Sequence, residues 1–166
     1  AVDPRTSANR LEFDQKLFAE VEALDAQLVV LAGFMRILDP IAFEPWLGRI
    51  INIHPSLLPL HPGLHTHRRA LEAGETRHGA SVHFVTAELD GGPLIAQVSM
   101  AINPDDTAQS LSERLLPLEH RLLSSSVGLI ASGRLRWSSG GVSLDGVLLD
   151  SPLLLQADDT LASHSA

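Results

Sequence analysis

Hydrophobic and polar positions divide the first fifty residues into a helix, a buried strand and a second strand. After Asn9, apolar side chains recur every three or four positions as far as Leu24, which predicts an amphipathic helix. Residues 27–32 form a short, continuous apolar run, and such a run is typical of a strand that is buried on both faces. A short helix over residues 40–46 and a strand over residues 49–53 are expected next.

The pattern changes in the second half of the chain. Residues 80–85 and 94–102 are rich in strand-forming side chains, and the short turn between them predicts an antiparallel pair. Leucines at helical spacing predict a long helix over residues 105–133, in which Pro117 is expected to disturb the helix unless it lies in a bend. Residues 135–149 resemble a terminal hairpin.

Together these elements predict one α/β domain. The expected architecture has three layers, with an open, mostly parallel mixed sheet between helices, as in Rossmann-like folds. We place this domain at residues 1–150 and expect residues 151–166 to form a loose tail, because they show little periodicity.

Composition narrows the classes of function. The chain has 166 residues, and its 12 basic against 20 acidic side chains give a net charge of -8, without the basic excess of nucleic-acid-binding proteins. A small-molecule substrate is therefore favoured. The chain has no cysteine, which excludes disulfides and thiolate nucleophiles. No apolar run is long enough to cross a bilayer, so no membrane partner and a cytoplasmic location are expected.

The chemistry is concentrated in the segment Asn-Ile-His-Pro-Ser-Leu-Leu-Pro that starts at Asn52. Because proline disfavours helical backbone in the residue before it, His54 is expected in extended backbone at the carboxyl end of a strand, where open α/β sheets bind ligands. Asn52 lies two residues earlier, on the same face, so the amide and the imidazole can donate to one oxygen. Asp90, in a Leu-Asp-Gly-Gly-Pro turn, can fix the tautomer of His54. These residues predict acyl-transfer chemistry.

Plainer interpretations exist for the same residues. A His-Pro step is often a structural turn, and Asp-Gly is ordinary turn chemistry. The five histidines His61, His65, His67, His78 and His83 lie close in the sequence and raise the possibility of a metal site. We do not favour one, because the loop offers no acidic residue at ligand spacing and the chain has no H-E-x-x-H motif.

Five segments, which span most of the chain from about residue 10 to residue 149, resemble the folate-dependent phosphoribosylglycinamide formyltransferases of purine synthesis. The matching segments are residues 29–38, 52–59, 62–67, 78–85 and 88–93. The resemblance implies a Rossmann-like formyltransferase fold and the transfer of a formyl group from 10-formyltetrahydrofolate to the amine of glycinamide ribonucleotide. It implies no metal, and we expect a monomer or a weak homodimer.

The resemblance also implies roles for particular positions. Asn52, His54 and Asp90 would be catalytic. The folate-binding set would be Arg10, Met35, Arg36, Ile37, Leu38, Asn52, Thr86, Ala87, Glu88, Leu89 and Asp90. Leu116 and Glu119 would bind the ribonucleotide, with Glu119 holding its glycinamide part.

The chain departs from the family in two places. The family begins with a strand, a Gly-Ser-Asn-type phosphate loop and a second strand, which this sequence lacks. We therefore expect the strand at residues 28–32 to expose an apolar edge and to favour self-association. The second departure is the Leu-Leu-Pro-Leu segment before Glu119, where the family tends to be more polar.

Three other functions remain open. Two belong to the same fold: the formyltransferase that acts on initiator methionyl-tRNA, and the hydrolase that releases formate from formyltetrahydrofolate. The acidic balance of the chain disfavours the tRNA enzyme. The third is a non-catalytic fragment that binds folate but cannot hold the ribonucleotide phosphate.

Overall fold

The computed structural model describes residues 7–163. The helices are α1 (Arg10–Ala23), α2 (Pro40–Phe43), a 3-10 turn (Glu44–Trp46), α3 (Thr66–Glu72) and α4 (Ala108–Ala131). The strands are β1 (Val29–Leu31), β2 (Ile50–His54), β3 (Arg77–Phe84), β4 (Leu94–Ala101), β5 (Leu135–Ser138), β6 (Gly141–Leu144), β7 (Val147–Leu148), β8 (Leu153–Leu155) and β9 (Leu161–Ala162). Over the described part of the chain, no helix has the length and apolar character needed to span a bilayer.

The central sheet has the order β1-β2-β3-β4-β8-β9. β1 pairs in parallel with β2, and β4 pairs in parallel with β8. The pairs β2/β3, β3/β4 and β8/β9 are antiparallel. Four of the six strands (β1, β2, β4 and β8) therefore run in one direction, and the predicted open, mixed, mostly parallel sheet is confirmed. Strands β5, β6 and β7 form a separate small sheet.

Helices cover both faces of the central sheet. On one face, α1 and α2 pack around Phe18, Phe43 and Ile50. On the other face, α4 contributes the fully buried Leu115 and Leu122, which pack with Ile51 of β2. Successive strand residues point to opposite faces, so Ile50 and Ile51 join different cores. The predicted three-layer arrangement is present.

β1 forms one edge of the sheet within residues 7–163. Val29 and Leu31 pack against the α1 side, whereas Val30 is 39% exposed. An apolar side chain is thus available at this edge. The self-association expected from it stays a prediction.

Pro117 does not end α4, which runs without a break from Ala108 to Ala131. The helix starts at a capping box in which Thr107 and Ser110 satisfy each other's backbone N–H groups. Pro117 is exposed, so its ring projects into solvent and water can satisfy the backbone group that the missing N–H leaves unpaired. The buried leucines on the opposite face hold the helix against the sheet.

The expected loose tail is wrong for the described residues after 150. Leu153 is fully buried, and β8 adds to the sheet through the register Ala96↔Leu153. On α4, Arg121 donates from Nη2 to the carbonyl oxygens of Gln156 and Ala157, at 3.1 and 3.0 Å. A three-residue strand is too short to show a period in the sequence, and it forms because the edge of β4 offers unpaired backbone groups.

Candidate active site

His54 lies at the carboxyl end of β2, with its side chain held at both nitrogens. Only 6% of the residue is exposed. Nε2 lies 3.0 Å from the carbonyl oxygen of His61, and Nδ1 lies 3.4 Å from Oδ2 of Asp90. Both neighbours are acceptors, so each ring nitrogen faces a group to which an N–H can donate. The ring is therefore fixed in orientation by a carboxylate on one side and a backbone carbonyl on the other.

Turn geometry brings Asp90 to His54. Asp90 has a φ of 52°, a left-handed conformation that aspartate tolerates better than most residues. Gly92 is required by close approach, because a Cβ there would lie 1.8 Å from the carbonyl oxygen of Phe84. The turn thus packs tightly against the end of β3. Oδ2 of Asp90 also accepts the backbone N–H of Gly63 at 2.7 Å, which orients the carboxylate.

His83 joins this group, although from its sequence context it is considered only as a metal ligand or an ordinary strand histidine. It stands directly opposite Asn52 in the β2/β3 register. Nδ1 of His83 donates to the carbonyl oxygen of Phe84 at 2.9 Å, so its Nε2 is left to accept from Nδ2 of Asn52 at 3.2 Å. Burial lowers the pKa of His83, with the Phe84 hydrogen bond and Asp90 acting in the opposite direction and His54 lowering it further. We therefore assign a neutral ring with its proton on Nδ1.

This arrangement links four polar side chains in one buried group. Oδ1 of Asp90 lies 3.7 Å from Nε2 of His83, and Oδ2 lies 3.4 Å from Nδ1 of His54. The carboxylate therefore lies beside both histidines, at 3.7 Å without a hydrogen bond to His83, and His83 fixes the amide of Asn52. The two-residue period of β3 does not show which residue stands opposite His83, and the matching segment 78–85 gives His83 no role of its own.

A cleft opens beside this group. Two segments predicted to bind folate line it, together with apolar side chains and the polar group itself. Its lining residues are Leu31, Phe34, Arg36, Ile37, Leu38, Phe43, Asn52, His83, Val85, Thr86, Ala87, Glu88, Leu89 and Asp90. Apolar walls with a few convergent polar groups suit a flat heterocycle.

Two of the predicted folate residues do not line the cleft. Met35 is 78% exposed. Arg10 instead pairs with Asp39, with its Nη2 3.4 Å from Oδ2 of that residue. The structure thus brings together the two segments that were predicted to bind the folate ring. The side chains of Met35 and Arg10 lie outside the cleft that these segments form.

Leu116 and Glu119, predicted to bind the ribonucleotide, lie on α4 and are not among the residues that line the cleft. Leu116 is 49% exposed. Burial raises the pKa of Glu119, and the neighbouring His120 opposes that shift. A partly buried carboxyl of this kind can receive an amine or a hydroxyl.

His67 and His78 form a separate pair, with Nδ1 of His67 2.9 Å from Nε2 of His78. Burial, together with the nearby His67, His61 and His54, lowers the pKa of His78 to about 4. Burial also lowers the pKa of His67. Near neutral pH one ring therefore donates a single N–H to the other. Within residues 7–163, no group of three or more His, Cys, Asp or Glu side chains is placed to hold a metal ion.

The His78 pair predicts a loss of stability in mild acid. The pKa of His78 lies below its ordinary value only in the folded state, so the unfolded chain binds the proton first as the pH falls from about 6.5 towards about 4. Urea unfolding at about pH 7.5 and about pH 5 should show this group contributing a loss of about 2 kcal/mol. His78→Phe should reduce the loss, whereas His120→Phe, at an exposed position, should not. An equal loss in His78→Phe and the unaltered chain would contradict the assignment.

Comparison with known proteins shows which family this chain resembles. A family model described as formyl transferase matches residues 1–127. The phosphoribosylglycinamide formyltransferase of Escherichia coli K12 is 46% identical over 138 residues, which cover 83% of this chain and 65% of that protein. The chain thus spans just under two thirds of the length of this relative.

Two further matches agree. Human trifunctional purine biosynthetic protein adenosine-3 is 41% identical over 133 residues, 80% of this chain and 13% of that protein. The solved phosphoribosylglycinamide formyltransferase of Coxiella burnetii superposes with a TM-score of 0.85 at 42% identity, covering 98% of this chain and 74% of the other. From the family match, the shared fold and the sequence identity, we conclude that this chain belongs to the formyl transferase family.

Proposed function

We propose that this chain transfers the formyl group of 10-formyltetrahydrofolate to the amine of glycinamide ribonucleotide, a step of purine synthesis carried out in the cytoplasm. The observation that carries the proposal is the position of Asp90 next to His54 and His83, with Asn52 bonded to His83, beside the cleft. The similarity to enzymes named for this reaction supports it.

The reaction begins when the amine nitrogen attacks the formyl carbon. A C–N bond forms, the formyl oxygen becomes an oxyanion, and the bond from the formyl carbon to the folate nitrogen then breaks as that nitrogen takes up a proton. Asn52 gives one N–H to His83 and keeps its second for the oxyanion. A fixed donor costs no reorganisation as the charge develops, so it stabilises the transition state more than the ground state.

His54 acts as the proton donor. Its Nδ1 side is held by Asp90, so the donating nitrogen is Nε2. In the structure Nε2 faces the carbonyl oxygen of His61, and the loop that carries His61 has to yield this position to the formyl oxygen. The Nε2–H of His54, which bonds to the carbonyl oxygen of His61 in this structure, then donates to the oxyanion.

Asp90 has two tasks in this scheme. It holds the protonated ring of His54 through Oδ2, and it accepts the proton of the attacking amine through an intervening water. The hydrogen bond from Gly63 keeps the carboxylate oriented without neutralising it. The proton that leaves the amine is thereby available to the departing folate nitrogen.

The cleft accounts for recognition of the folate. Its pterin ring lies between the 36–38 segment and the 86–90 turn, with Arg36 available to an acidic part of the cofactor. Arg10 and Met35 are assigned to its outer end, beyond the walls. Glu119, with Leu116 beside it on α4, is assigned to the glycinamide part of the other substrate.

Titration calorimetry combined with turnover tests the proposal. The intact chain is titrated with 5-formyltetrahydrofolate as a non-reacting folate and, separately, with glycinamide ribonucleotide. Binding of both, with formyl transfer from 10-formyltetrahydrofolate, is the expected result. Folate binding without ribonucleotide binding would overturn it in favour of a folate-binding module, and formate release without ribonucleotide would favour the hydrolase.

A further inference from the structure

We infer that Asp14 is a positioning residue for folate binding, although it lies outside the cleft. It acts on residues 35–39, which we call the anchored segment. This inference rests on the proposed function only in naming folate as the ligand. The geometric part stands on contacts of α1 with the anchored segment.

Asp14 is a buried carboxylate with a specific partner. It is 0% exposed, and its Oδ2 accepts the backbone N–H of Asp39 at 2.8 Å. Oδ1 has no hydrogen-bond partner among the residues that the structure describes. Burying a carboxylate that is only half satisfied is unfavourable, so the position is poorly explained by packing alone. What the side chain supplies is a fixed acceptor at the end of the anchored segment.

Two more contacts come from the same face of α1. Arg10 pairs with the Asp39 carboxylate at 3.4 Å, and the guanidinium of Arg36 lies 4.1 Å from the centroid of the Phe13 ring. Residues 10, 13 and 14 are spaced by three and four positions, so their side chains share one helix face. α1 therefore holds the anchored segment near both of its ends, at residues 36 and 39.

Between these two ends lie the residues that face the cleft. Arg36, Ile37 and Leu38 line it, and Asp39 then caps α2 through Oδ1, which accepts the N–H of Ile41 at 3.1 Å. The Asp14 bond thus sets where the cleft wall ends and the next helix begins. An exposed ion pair such as Arg10–Asp39 contributes little, because water competes for both partners. The buried acceptor Asp14 is the contact that water cannot replace.

The test compares three single variants of the intact chain. Asp14→Ala removes the acceptor, Asp14→Asn keeps an oxygen acceptor for the Asp39 N–H, and Val21→Ala removes a partly buried contact two turns further along α1. At a temperature where all are folded, Asp14→Ala should raise the folate Kd and KM about tenfold. Its kcat at saturating folate and its KM for the ribonucleotide should stay unchanged. Asp14→Asn should recover most of the folate affinity.

Amide hydrogen exchange supplies a readout that needs no ligand. Exchange in the anchored segment should be faster in Asp14→Ala than in the unaltered chain, and unchanged in Val21→Ala. Unaltered exchange in Asp14→Ala, or equal loss of folate affinity in Val21→Ala, would overturn the inference. If the unaltered chain binds no folate, the proposed function fails, and the exchange result alone decides whether Asp14 positions the segment.

Discussion

A chain in which His54 is replaced by alanine is expected to bind folate normally and to lose about a thousandfold in kcat. In the proposed mechanism the imidazole supplies a proton and a hydrogen bond that act only as charge develops on the formyl oxygen. Its removal should therefore destabilise the transition state and leave folate binding in the ground state intact. His54 is not among the residues that line the cleft, which is the structural reason for expecting unchanged folate affinity.

Single-turnover kinetics with saturating folate and ribonucleotide measure this effect on the chemical step. Circular dichroism and the folate Kd show whether the variant is folded and its cleft intact. A kcat within a few-fold of the unaltered chain would end the assignment of His54 as proton donor.

Replacing Asp90 by asparagine should lower kcat by about a hundredfold. The amide oxygen of asparagine can still accept the N–H of Gly63, so the turn should keep its shape. What is lost is the negative charge that faces Nδ1 of His54, and with it the group that the proposed mechanism uses to accept the amine's proton.

Asp145→Asn is a matched control for this variant. Asp145 has a φ of 51°, nearly the same left-handed backbone as Asp90, but it lies in the turn between β6 and β7 and pairs with Arg134. The same chemical change there should leave turnover unaltered. Combining Asp90→Asn with His54→Ala should cost little beyond His54→Ala alone, because the two side chains act as a unit. Fully additive losses would show that Asp90 acts independently of His54.

Local chemistry explains why much of the site could be predicted from sequence. An apolar strand that ends at a His-Pro step places His54 by the steric effect of Pro55, whatever the rest of the fold does. The Asp-Gly-Gly sequence likewise specifies a tight turn, since Gly92 alone allows the approach to Phe84. Each of these features depends on neighbours in the chain.

The parts that could not be predicted depend on contacts between distant elements. His83 is one histidine in a strand, and its role follows from standing opposite Asn52, which only the β2/β3 register decides. Asp14 lies in a helix with an ordinary amphipathic pattern, and its importance comes from an N–H that is 25 residues away in the sequence. The strand β8 depends on the free edge of β4.

The loop after β2 contacts both His54 and Asp90 through its main chain. His61 offers a carbonyl oxygen to His54, and Gly63 offers an N–H to Asp90. Both residues have positive φ values, 53° and 80°, so these two contacts depend on the backbone conformation of the loop. The exposed side chains of the loop, Leu60 and Leu64, can change and adapt the site to other substrates without altering these two backbone contacts. Variation of substrate preference among natural or designed versions of this fold would thus be expected to accumulate in this stretch.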